Sequence, residues 1–176
     1  DAAEFKDICY MIPCPKSPHG CDVDPTGEYI IGSGKLAALI PVFSFDKLQN
    51  AIAKKDYEGE YGGIPVVKYE SALHGEVQKP GLGPLHTEFD GKGNAYTTMF
   101  VSSEVVKWDI KTLKVLDRVP TYYSVGHLMI PGGDSKKPFG KYLVAYNKIT
   151  KDRYLPTGPE LAQSAQLYDI SGDKMQ

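Results

Sequence analysis

HGCDVDPTGEYIIGSG, residues 19–34, decides the reading of the fold because its pattern returns twice. It comes back as HTEFDGKGNAYTTMF from His86 and as HLMIPGGDSKKPFGKYLVAYN from His127. Each unit has a His, a Gly-containing turn, and an aromatic (Tyr29, Tyr96 or Tyr142) that opens an apolar run. From His19 to Tyr29 and from His86 to Tyr96 the step is ten residues, and the third unit is five longer. That extra length lies in a Gly/Lys/Pro loop, where insertion costs little. The units also end alike. Phe43-Ser44-Phe45-Asp46 closes the first, Val106-Lys107-Trp108-Asp109-Ile110 the second, and Gln166-Leu167-Tyr168-Asp169-Ile170 the third. An aromatic followed by Asp suits the end of a propeller strand, the ring packing between blades and the carboxylate accepting turn amides. Repeats of this length built from short β runs point to blades of a propeller.

Working outward, the reading is all-β, with blade units near 14–55, 84–115 and 120–176. Phe45 to Lys55 has the spacing of a short helix, with Leu48, Ile52 and Ala53 on one side. Asp56 to Gly83 reads as an insertion between the first two units. Three blades cannot close a ring and would leave raw sheet edges. The chain is therefore expected to be part of a larger propeller or to associate with another chain, and it lacks an initiating Met.

Composition narrows the function classes. Net charge is -2, with 20 basic and 22 acidic residues, so no basic field calls for nucleic acid or an anionic membrane. The pairs Lys54-Lys55 and Lys136-Lys137 suit solvated surface. The longest apolar run, Leu36 to Phe43, is of strand length, far short of the roughly 20 residues of a membrane-spanning helix. The three cysteines, Cys9, Cys14 and Cys21, fit no zinc-ribbon spacing. One local disulfide and free thiols both remain open.

Three of the four histidines, His19, His86 and His127, start the three units. Matching positions on successive blades lie around one axis, so these imidazoles are expected to converge near the channel mouth. Neutral imidazole is a general ligand for zinc, copper and iron, and a set without thiolate or carboxylate suits copper while leaving zinc open. The plainer alternative is that each His caps its turn by a hydrogen bond. His74 stands outside the repeat and is read as a surface residue. Cys21, two residues beyond His19, shares its face on an extended strand.

CPKSPHGCDVDPTGEY (14–29), GLGPLHTEFDGKGNAYTTMFVSSEVVKWD (81–109), GHLMIPGG (126–133) and GKYLVAYNKITKDRYLPTGPELAQSAQLYDISGDKM (140–175) resemble the central part of the nitrous oxide reductase family. The strings GPLHT, GNAYTT and DISGDKM are the most specific. The resemblance implies a periplasmic copper oxidoreductase of denitrification, with a seven-bladed propeller holding a sulfide-bridged four-copper cluster through seven His. It makes His19, His86 and His127 three of those ligands and Lys148 the lysine beside the cluster. It also implies a structural calcium, for which Lys148 and Gln163 are the candidate ligands. Gln163 replaces the family's acidic ligand, and Ser17 stands where a better-studied branch has Asn. The other cluster histidines and the cupredoxin domain with its dinuclear copper site have no counterpart here. The chain is thus expected to be a fragment that is inactive alone. The implied partners are the remainder of the polypeptide, a second copy of the whole protein, and a small c-type cytochrome or cupredoxin electron donor. Two other readings stay open on the residues alone: a non-catalytic propeller module that binds protein, and a mononuclear zinc or iron propeller enzyme.

Overall fold

A computed structural model describes residues 4–5, 8–147 and 164–176. In chain order the elements are β1 (Pro18–Val23), β2 (Tyr29–Gly34), β3 (Leu39–Ser44), α1 (Phe45–Ala53), β4 (Tyr57–Tyr61), β5 (Ile64–Val67), α2 (Tyr69–Ala72) and β6 (Leu73–Gln78). Then come β7 (Pro84–Phe89), β8 (Asn94–Met99), β9 (Glu104–Asp109), β10 (Val115–Pro120), β11 (Val125–Met129), β12 (Tyr142–Asn147) and β13 (Ala165–Asp169). They form three antiparallel blades, ordered β1-β2-β3-β6, β7-β8-β9-β10 and β11-β12-β13, with β4-β5 as a separate hairpin. The fold is all-β, three successive blades of a propeller with their inner strands β1, β7 and β11 side by side.

Side-chain alternation explains how the blades stack. On β9, Val106 and Trp108 face the first blade and join Ile31, Ile40, Val42 and Val77 in one core. Val105 points the other way and packs with Tyr96, Leu128, Leu143 and Ile170 in the core shared with the third blade. A period of two thus serves two interfaces at once. Trp108 is fully buried, and its Nε1–H donates to Thr97 Oγ1 at 2.9 Å, so its polar end is satisfied. Asp24 and Asp90 shape equivalent hairpins. Asp24 Oδ1 accepts the Tyr29 amide at 2.8 Å, and Asp90 Oδ1 accepts the Lys92 amide at 2.7 Å.

The strand pairing moves four of the sequence matches. Ile30 pairs with Phe43 as Ala95 pairs with Trp108. The closing aromatic of the first blade is therefore buried Phe43, and Phe45 is 45% exposed at the start of α1. Ser44 takes the part of the following Asp: its Oγ accepts the Lys47 amide at 3.1 Å as the helix N-cap. Asp109 and Asp169 do accept turn amides, from Thr112 at 2.7 Å and Ser171 at 2.8 Å. Ile31 in the first blade and Val144 in the third, not Tyr29 and exposed Tyr142, occupy the place of buried Tyr96, since Ile31 pairs Asp22 and Val144 pairs Met129 as Tyr96 pairs Glu88. An aromatic and a β-branched residue serve equally at a buried strand position, so sequence alone slid by two.

The 56–83 stretch is an excursion for most of its length. The β4-β5 hairpin and α2 lie with α1 against the outer part of the first blade, around Phe43, Ala51, Val67 and Ala72. Its later part is β6, which pairs with β3 and supplies the blade's fourth strand. The polar sequence Leu73–Gln78 hides that role because an outermost strand needs only its core-facing residues, such as fully buried Val77.

Candidate metal centre

The three histidines lie on the three innermost strands, and each strand is bulged at the His. Between Pro18 and Cys21, β1 advances three residues while its partner moves from Gly34 to Gly32. Between Pro84 and Thr87, β7 does the same against Met99 and Thr97. Between Val125 and Leu128, β11 does it again against Asn147 and Ala145. Each therefore carries one extra residue, which bends the strand and re-aims the side chain at that point. A regular strand would send successive side chains to opposite faces, so the bulge is what presents these rings at the rim.

The rings meet. The centroids of His86 and His127 are 4.6 Å apart with planes 18° from parallel, and those of His19 and His86 are 5.0 Å apart, edge to face. His86 is half-buried, while His19 and His127 are exposed on this chain. His86 and His127 occupy the same bulge position, and His19 stands one residue earlier, where the matching position is Gly20. The equal ten-residue step in the sequence conceals this offset. Gly20 is buried, and a Cβ there would overlap the Leu85 carbonyl oxygen and lie 2.9 Å from the Leu85 carbonyl carbon. The backbones of β1 and β7 come too close for any side chain at that position, and the imidazole is carried by the neighbour.

Carboxylates surround the back of the rim. Asp22, on β1, accepts the Thr87 amide of β7 at 2.8 Å, tying the two inner strands beside His86. Burial pushes the Asp22 carboxyl up to about 6 against the pull of that amide, with Asp134 adding repulsion. Glu88, on β7, is buried, and burial first, then the charge of Asp134, pushes it up to about 7. A Cβ on Gly133 would overlap its Oε2, so a glycine lets the third blade's loop close over this carboxyl. Sequence reasoning passed over Asp22 and Glu88, although they stand three and two residues beyond His19 and His86.

Among the described residues, no three His, Cys, Asp or Glu side chains are arranged to enclose a single ion. As a donor set, neutral imidazoles suit copper or zinc. Lys148 and Gln163 lie outside the described residues. His74 is half-buried against the Tyr29 ring at 4.8 Å, which ties it to the first blade's packing rather than to open surface.

Comparison with known proteins agrees with the propeller fold. Residues 118–176 match the family model described as the nitrous oxide reductase propeller repeat. Over most of its length the chain is similar to a stretch of nitrous-oxide reductases. It is 39% identical over 174 residues to the nitrous-oxide reductase of Stutzerimonas stutzeri and 40% identical over 172 residues to that of Cupriavidus necator. These alignments take in 93% and 92% of this chain but 26% and 25% of the relatives, so the chain spans about a quarter of the length of the nitrous-oxide reductases it matches. No helix among the described residues is long and apolar enough to cross a membrane.

Proposed function

We propose that this chain supplies His19, His86 and His127 to the four-copper sulfide cluster of a nitrous oxide reductase that forms dinitrogen and water. The observation that carries the reading is the contact of three imidazoles, from three consecutive inner strands, at 4.6 and 5.0 Å between ring centroids. When bound, the copper cluster would supply the electrons that reduce the substrate. The chain's own contribution is to fix the rings: the bulges aim them, Gly20 sets the approach of β1 to β7, and the Asp22–Thr87 bond holds that approach.

Lys148 is proposed to stand beside the cluster, its ammonium stabilising negative charge on the substrate oxygen as the N–O bond breaks. Lys148 and Gln163 are the candidates for a calcium site, an amide oxygen being an adequate ligand for that ion. The proposed setting is the periplasm. The proposed partners are the remaining blades, the cupredoxin domain with its dinuclear copper, a second copy of the protein, and a small cytochrome c or cupredoxin donor.

Replacing His86 by Ala in the whole protein tests the ligand role. The expected result is loss of cluster copper by metal analysis, together with the cluster's visible absorption. Unchanged copper and spectrum would refute it. Zinc or a single iron in place of copper would favour the mononuclear enzyme, and a metal-free, fully folded propeller would favour the protein-binding module.

A further inference from the structure

The stretch ahead of β1 doubles back across the first blade. Met11 exchanges backbone hydrogen bonds with the β5 hairpin, its amide reaching Pro65 O at 2.9 Å and its carbonyl the Val67 amide at 2.8 Å. Further on, Ser17 O accepts the Lys35 amide at 2.8 Å, and Pro15 abuts Gly34. Between these anchors Cys14 is set down on the face of β2. Its Sγ lies 3.7 Å from where a Cβ on Gly32 would stand. Gly32 is the cross-strand partner of Cys21. Directly opposed residues of an antiparallel pair show their side chains on one face, with Cβ atoms about 5 Å apart. The missing side chain of Gly32 therefore leaves the space beside Cys21 to the Cys14 sulfur. Both cysteines are exposed free thiols, whereas unreactive structural cysteines are normally buried. Cys9 precedes the Met11 anchor in the chain.

We infer that Cys14 and Cys21 are a disulfide-forming pair whose bond closes the loop that carries His19. The two sulfurs also feel each other electrostatically: the Cys14 thiol is pushed up first by burial and then by the charge of Cys21. Burial, then Asp22, pushes up Cys21. The bond is expected to form by exchange with a disulfide donor. The Cys14 thiolate attacks a sulfur of the donor disulfide and releases one donor thiol. The Cys21 thiolate then attacks the Cys14 sulfur of the mixed disulfide and releases the second. The two cysteines are oxidised, the donor is reduced to two thiols, and the cysteine protons end on those thiols. The loop so closed runs Cys14 to Cys21 and contains Ser17, whose φ of 62° already marks a tight reversal, and His19. The pairing stands without the copper reading. Its consequence, that oxidation fixes the backbone on both sides of a cluster ligand, rests on that reading.

The test uses the whole protein equilibrated with oxidised glutathione, alkylated to trap free thiols, and digested with trypsin without reduction. Cleavage after Lys16 separates residues 7–16 from 17–35. The expected product is one cross-linked species joining these peptides, two hydrogen masses below their sum, with Cys9 alkylated. The same cross-link is expected in Cys9→Ser and is expected to vanish in Cys14→Ser. Alkylation of both Cys14 and Cys21 at full oxidant, or a cross-link that is lost in Cys9→Ser, overturns the pairing. Metal content measured on the same samples reads the copper proposal separately.

Discussion

Substituting Gly20 by Ala probes the contact on which the rim depends. Gly20 is buried where β1 crosses β7, and the added methyl would overlap the Leu85 carbonyl oxygen and stand 2.9 Å from its carbon. These are backbone atoms of an inner strand, so no side-chain rotation relieves the clash. One strand must move by the better part of an ångström. Overpacking of a rigid site costs about 3 kcal/mol, the upper part of the usual range. Gly75→Ala is the fitting control, because its methyl meets only the end of the Leu113 side chain, which can turn aside. That variant is expected to lose about 1 kcal/mol. Urea unfolding followed by fluorescence suits the comparison, since Trp108 is this chain's sole tryptophan and is fully buried between the first two blades. The midpoint shift multiplied by the denaturant slope gives the free-energy difference where unfolding is two-state. A second reading follows from the same strain: moving β1 off β7 separates His19 from His86, so copper retention should fall in Gly20→Ala and not in Gly75→Ala. Equal stability losses in the two variants would refute the claim that the approach of β1 to β7 forbids a side chain.

Trp108→Ala removes the largest fully buried side chain among the described residues and should cost about 4 kcal/mol in the same unfolding assay; a loss under about 1 kcal/mol would mean that the blades do not pack through it. Glu88 gives a pH dependence of stated sign. Its carboxyl sits at about 7 in the fold, against an ordinary 4.5, between Asp134, Asp22 and the Ile130 amide. The folded state holds that proton more tightly than the unfolded chain, so stability is fullest below about 4.5 and falls as pH rises through 7. Glu88→Gln should therefore gain in urea midpoint over the wild type from pH 5 to pH 8, and a difference constant across that range would count against a strained carboxyl.

Several features were legible from the residues alone. Alternation of apolar residues, Gly-centred turns after Asp24 and Asp90, and a threefold His-to-strand recurrence suffice for a propeller, because strand period and turn chemistry are local properties. The same locality made α1 readable. The meeting of His19, His86 and His127 also followed, since the inner strands of successive blades surround one axis.

What the linear pattern could not carry was register. Equal spacing from His19 and His86 to their tyrosines suggested identical placement, yet pairing sets His19 one residue from His86 and puts Gly20 in the crowded place. Phe43 with Ser44, not Phe45 with Asp46, closes the first blade, and β6 completes it from inside an apparent insertion. Each of these depends on which backbone atoms bond across strands distant in sequence, and a slip of one or two residues leaves composition and period unchanged. The bulges that aim the rings have the same origin: an extra residue is visible only against its partner strand. Sequence by itself determined the blade architecture and which three units carry an imidazole; tertiary pairing decided where each ring stands, because strand register is a property of hydrogen bonds between strands and not of residue order.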